Sequence, residues 1–294
     1  MTKHESPSYK LFLAFNYALL TAISLLCIFP LIHVLAISFS SSSAASANLV
    51  KFWPVGFTTK AYEYVLNKPE FMTALGVSLK RVMLGVVINM VLTILTAYPL
   101  ARDPEKFRQR NAYAWYFFIT ILFNTGLIPW YMTIKTLGLT DSLWALVLYG
   151  AVPVFNVILL MNFFRQLPKE IEESAFLDGA GHMTNMWRIF VPLSAPSIAT
   201  LTLFCIVGHW NSWFDGLILM NFPQHYPLQS YLQTVVVNID TSLKSTRDIE
   251  LLSIVNDRTS RAAQIFLASF PIIAVYPFLQ RFFLQGMTLG SVKG

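Results

Sequence analysis

Six stretches of this chain are each long and apolar enough to cross a lipid bilayer, and no other feature restricts its fold so strongly. They run from about Leu11 to Ser38, Val82 to Leu100, Ala112 to Tyr131, Leu143 to Phe164, Ile189 to Met220 and Ala262 to Gln280. A hydrocarbon layer about 30 Å thick takes about 20 helical residues to span. Its interior offers no water to backbone N–H and C=O groups, so each stretch is predicted to be a helix. A chain of 294 residues that is 55% hydrophobic and 12% charged cannot hide this material in one water-soluble core. Disorder, collagen-like structure and a disulfide scaffold are excluded by the same composition. The two cysteines, Cys27 and Cys205, lie inside apolar runs and are expected to be small buried hydrophobes.

The first stretch is nearly twice as long as the apolar part of a signal peptide and is expected to remain as an anchor helix. Basic residues set the orientation of the rest. Lys3, Lys10, Arg102, Lys106, Arg108, Arg110, Arg165, Lys169, Arg188, Arg281 and Lys293 fall on one side, at nearly twice the density of Lys and Arg on the other. That side is predicted to be cytoplasmic, with both termini. The first loop (about 39–81) and a long loop (221–261) then face outward. No soluble domain is visible, so residues 1–294 read as one membrane domain.

A net charge of +6 could signal a nucleic-acid partner, but in a membrane chain it reports basic cytoplasmic loops. Catalytic signatures are missing: there is no HExxH, GxSxG or CxxC, and no phosphate-binding Gly-Lys-Ser/Thr loop. If ATP drives this protein, another chain hydrolyses it. No residues suggest a resident cofactor or metal. Two other classes would be a six-span enzyme with His209 and Asp215 as acid and base, and a channel, for which no filter-like motif is present.

The loop after the fourth span is the informative one. Pro168 suits the first turn of a helix, Glu170, Glu172 and Glu173 suit its positive end, and Gly179 suits its stop. A cytoplasmic helix of about eleven residues is predicted within 169–181. Ile171, Ser174, Ala175 and Asp178 share one face at i, i+3, i+4, i+7. The small pair Ser174–Ala175 would admit a partner's backbone, and Glu173 offers charge pairing.

Glu173-Ser174-Ala175, then Gly179, then Ile189-Phe190-Val191-Pro192 resembles the EAA loop of ABC-importer permeases, with Ser174 and Val191 as mild departures. Leu177-Asp178-Gly179-Ala180 and Pro192-Leu193-Ser194-Ala195-Pro196 resemble the carbohydrate, MalG-like branch. Phe52-Trp53-Pro54 and the C-terminal Leu279-Gln280-Arg281-Phe282-Phe283 are similar to that branch too. Gly208-His209-Trp210-Asn211-Ser212-Trp213 is similar to its LplC-type subgroup, associated with acidic-sugar oligomers. The resemblance implies an all-α membrane protein with six transmembrane helices and the type I ABC importer permease (MetI-like) fold. It also implies a bacterial inner-membrane location, a second related permease, two ATPase subunits that bind ATP and Mg, and an extracytoplasmic solute-binding protein. The implied substrate is an oligosaccharide, and the subgroup likeness points to a uronate-containing one of alginate or pectin type. Glu173, Ser174, Ala175, Asp178 and Gly179 would then couple the chain to its ATPase.

Polar groups inside a span are costly and often functional. Gly208, Asn211 and Asp215 share a predicted face of span five, beside Trp210, Trp213 and Phe214. Aromatic rings next to amide or carboxylate groups suit the apolar faces and hydroxyl edges of sugars, so Trp210, Asn211 and Asp215 are candidates for a substrate path. Asp215 alone would repel uronates. Asn89, isolated in span two, is expected to hydrogen-bond between helices.

Overall fold

The computed structural model describes residues 7–123, 125–237 and 257–291, with side chains to Pro277. The described residues are helical, without strands. In chain order the helices are α1 (Pro7–Ser38), α2 (Ser42–Ser46), α3 (Lys60–Leu66), α4 (Pro69–Ala101), α5 (Arg110–Leu122) and α6 (Leu127–Thr136). Next come α7 (Leu143–Leu148), α8 (Val154–Phe164), α9 (Lys169–Leu177) and α10 (His182–Asn185). A π-helical turn (Met186–Phe190) leads into α11 (Val191–Leu193), α12 (Ala195–Asn211) and α13 (Phe214–Leu219). A 3₁₀ turn (Pro223–His225), α14 (Leu228–Val237) and α15 (Asp257–Ser291) complete the order.

All six predicted spans are mostly helical where described, but among the described residues only α1 and α4 are both unbroken and, by length and composition, apolar enough to cross a membrane alone. The third stretch breaks between α5 and α6, where Gly126 takes φ +79° and Pro129 follows. The fourth breaks at Gly150, with φ +74°, and Pro153. The fifth bends by 84° between α10–α11 and α12. There Pro192 and Pro196 lack the amide that continues an α-helical ladder. The Val191 amide bonds instead to the Met186 carbonyl five residues back, which makes the π turn. Apolar length is thus a matter of sequence, while continuity depends on these glycines and prolines.

Two compact units are distinguished, Met1–Pro69 with Thr234–Phe270 and Glu70–Gln233 with Pro271–Gly294. In the first, the Ser38 hydroxyl and the Tyr62 hydroxyl meet at 2.7 Å, and Phe39 stacks between Phe57 and Tyr62. Arg258 donates to the Ala45 carbonyl at 3.1 Å and to the Asn48 side chain. Cys27 is exposed on α1, not buried as predicted, because the α1 surface is apolar nearly all round and few of its residues pack within the chain. Lys244 and Arg247 of the long loop lie outside the described residues, as do Lys3 and Lys293.

The second unit carries the largest core. Met90, Ile94, Ala97 and Tyr98 of α4 pack with Val157, Leu160 and Phe164 of α8, Phe190, and Leu201 and Cys205 of α12. Tyr98, Phe164 and Phe190 meet edge to face, with centroids 5.2 to 6.5 Å apart. This packed triple of helices holds both features described next.

Candidate functional site: a membrane cavity and a docking helix

α4 begins at Pro69, a residue suited to a helix start, so Arg81 lies three turns inside it and not in the outer loop where the Lys80-Arg81 pair suggested. Its side chain is buried. A lone cation among apolar residues needs a counter-ion, and Asp215 of α13 supplies it. The two guanidinium nitrogens face the two carboxylate oxygens, with Nη1 donating to Oδ1 at 3.1 Å and Nη2 paired with Oδ2. Asp215 also accepts from the Ser212 hydroxyl and the Gly216 amide, both at 2.8 Å. The carboxylate is therefore neutralised in place.

Asn89 lies two turns further along α4. Its Nδ2 donates to the Gly150 and Ala151 carbonyls at 3.1 and 2.9 Å, satisfying groups that the break between α7 and α8 leaves without a helical partner. His209 Nε2 lies 2.7 Å from Asn89 Oδ1. An amide oxygen only accepts, so that nitrogen carries the proton. Asn89 thus ties helices together, as its isolation predicted. The His209 ring packs directly on Gly85, where no Cβ would fit.

These groups border a cavity of about 610 Å³. Arg81, Asn89, Asn156, His209 and Asp215 give it a polar wall, and Trp130, Tyr149, Phe204 and Phe214 an aromatic one. Of the three residues expected on a substrate path, Asp215 lines this cavity. Trp210 is buried and Asn211 is exposed, and neither borders it. α12 ends at Asn211, and Ser212 is extended, so the predicted face joining Gly208, Asn211 and Asp215 is interrupted. Arg81 was missed because its place in a helix depends on Pro69. A lone acid, Asp215, in one apolar segment and the Lys80-Arg81 pair at the edge of another were the available signal.

The predicted docking helix is α9, nine residues long. Gly179 has φ +82°, its amide bonds to the Phe176 carbonyl at 3.0 Å, and the Ala180 amide bonds to the Ala175 carbonyl at 2.9 Å. This is the glycine-dependent stop that the sequence pattern required. The predicted face divides in two. Ala175 turns inward with Glu172, while Glu173, Ser174, Leu177 and Asp178 stay exposed. Glu172 is ion-paired with Arg102, and accepts from Lys106 Nζ at 3.0 Å. The Arg102 guanidinium lies 4.2 Å from the Tyr98 ring centre. Leu177 is 89% exposed at the helix tip. Sequence reasoning passed over it because one leucine among glutamates reads as an ordinary helix residue.

The family of binding-protein-dependent transport system inner membrane components matches residues 107–289. The chain is 38% identical over 293 residues to the protein LplC of Bacillus subtilis, covering 100% of this chain and 98% of that one. It is 35% identical over 285 residues to the polygalacturonan/rhamnogalacturonan transport system permease protein YtcP of the same organism, covering 97% and 99%. Among solved structures, a chain of a bacterial ABC transporter that imports the acidic polysaccharide alginate is similar at a TM-score of 0.88 and 30% identity. The match covers 96% of this chain and 100% of that one. A permease of this kind works with a second permease, ATPase subunits and a substrate-binding protein. The chain belongs to the binding-protein-dependent transport system inner membrane components, as a non-catalytic permease subunit of an ABC sugar importer with the type I fold.

Proposed function

We propose that this subunit passes an acidic, uronate-containing oligosaccharide through the bacterial inner membrane along the cavity of Arg81 and Asp215. The buried Arg81–Asp215 pair is the observation that carries the reading. A cation fixed in the wall of a membrane cavity can meet a sugar carboxylate, while its partner acid cancels the charge when no sugar is present. The names of the relatives agree: one transports polygalacturonan and rhamnogalacturonan, and one structure belongs to an alginate importer. Asp215 acts through Arg81. Trp210 and Asn211 do not border the cavity, and Asn211 meets sugar where the path leaves it at the exposed end of α12.

Residues 1–294 act as one permease domain, with both termini cytoplasmic, 169–181 as the coupling segment and 221–261 as an outer loop. Glu173, Ser174 and Asp178 touch the ATPase, Ala175 seats α9 on this chain, and Gly179 sets its angle. ATP and Mg belong to the partner ATPase subunits, whose closure drives alternating access. The test is ATPase stimulation in the complete reconstituted transporter, using binding protein loaded with oligogalacturonate or with a neutral maltodextrin. Stimulation by the acidic sugar alone, lost in Arg81→Gln, is expected. Equal stimulation by both sugars would overturn the acidic assignment.

A further inference from the structure

A second, smaller cavity of about 190 Å³ lies where the ends of α4 and α8 meet the start of α9. Five cationic side chains border it, Arg102, Lys106, Arg110, Arg165 and Lys169, against two acids, Glu172 and Asp103. Both acids are engaged. Arg102 and Lys106 hold Glu172, and Lys169 holds Asp103 at 2.8 Å. Arg110 and Arg165 have no ion-pair partner among the described residues. Each donates to a carbonyl at the end of α4, Arg110 to that of Arg102 at 3.0 Å and Arg165 to that of Leu100 at 2.9 Å, and Arg165 also to the Met161 sulfur at 3.3 Å.

Helix C-termini favour such cations, and that role uses one nitrogen of each guanidinium. Further donors remain. The buried Nε atoms of Arg102, 7% exposed, and of Arg110 find no acceptor among the described residues. α9 starts at the same cavity with Pro168 as its N-cap, and Glu170 and Glu172 in its first turn already offset its positive end. Burial, and next the like charge of Arg110, push the Arg165 guanidinium below its ordinary value. Two guanidiniums close enough to repel and buried donors without acceptors call for the same thing, an anion with several oxygens.

We propose that this cavity binds a phosphate group, from an anionic lipid headgroup or from a free phosphate. Tetrahedral phosphate matches the forked donors of Arg110 and Arg165. Bound there, it relieves their repulsion and joins the ends of α4 and α8 to the start of α9. Binding itself does not depend on the transport reading; its position beside the docking helix makes it a tether for coupling on that reading.

The complete transporter in dodecyl maltoside micelles tests this by thermal unfolding. Inorganic phosphate is compared with chloride at matched ionic strength, and added phosphatidylglycerol with a phosphate-free glycolipid. Wild type is expected to gain about 2–4 °C in at least one arm, and Arg110→Gln with Arg165→Gln to lose that gain. A gain with inorganic phosphate identifies a free phosphate, and a gain with phosphatidylglycerol alone identifies a headgroup. No gain in wild type, or an equal gain in the variant, overturns the proposal. If the double variant does not assemble, Arg165→Gln alone, at an exposed position, is expected to lose at least half the gain. An undiminished response there overturns it equally.

Discussion

Arg81 and Asp215 lie 134 residues apart in sequence, yet their side chains meet face to face, both nitrogens of one against both oxygens of the other. Removing either partner leaves an uncompensated charge away from water, at a cost of about 3–5 kcal/mol. Arg81→Gln and Asp215→Asn should each lower the unfolding temperature of the purified transporter sharply. The exchanged pair Arg81→Asp with Asp215→Arg should recover part of that loss. Three variants of equal stability would show that the pair contributes nothing to folding.

Gly85 and His209 provide a steric test. A methyl group at residue 85 runs into the His209 ring, so Gly85→Ala should cost about 1–3 kcal/mol through overpacking. Trimming the ring relieves the clash. Gly85→Ala with His209→Ala should therefore be more stable than the sum of the two single changes predicts, as read by thermal unfolding. Strict additivity would contradict the close approach of α4 and α12.

The two sides of α9 should separate stability from assembly. Ala175→Leu forces a larger side chain into the contact with this chain's own core and should cost about 1–3 kcal/mol of stability. Leu177→Glu changes a side chain that touches little and should leave the unfolding temperature unaltered, yet release the ATPase in a pull-down. ATPase retained by Leu177→Glu at wild-type level would remove Leu177 from the docking surface.

Lys169 and Asp103 give a pH signature. The hydrogen bond from Lys169 holds the Asp103 carboxyl below its ordinary value, and the same bond raises Lys169. A depressed carboxylate stabilises the fold above its unfolded value and loses that contribution as pH falls through the folded one. A raised lysine contributes below its unfolded value and loses it as pH rises through the folded one. The stability difference between wild type and Asp103→Asn should therefore be small and flat between about pH 5 and 9. It should shrink below about pH 4 and be screened by salt, since both groups are solvent-exposed. A difference that grows on acidification would contradict the assignment.

Much of this molecule is legible in order along the chain. Apolar length located the spans, and the Pro168 to Gly179 spacing located α9 and its stop, because both are local properties. Which face of α9 turns inward was not legible. Glu172 lies among three nearby glutamates, and only the approach of Arg102 and Lys106 from the α4 end distinguishes it. The cavity wall was half legible for the same reason. Asp215 stood out as a lone acid, but Arg81 joins the cavity wall only through pairing across 134 residues, and the shared face drawn through Asn211 and Asp215 is interrupted because α12 ends at residue 211.

α4 differs from the broken spans in having no interruption before Pro99, two residues from its end. It carries Arg81 in the cavity wall and delivers the chain to Arg102, which grips Glu172 of α9. At 1.5 Å per residue these two arginines are about 30 Å apart along one rod. The stretch from Arg81 to Pro99 has no joint and stores little of the motion applied to it, and Pro99 stands in the last turn before Arg102. On the proposed coupling role of α9, its displacement is expected to reach the Arg81–Asp215 pair through α4, so that the two ends of this subunit shift in step.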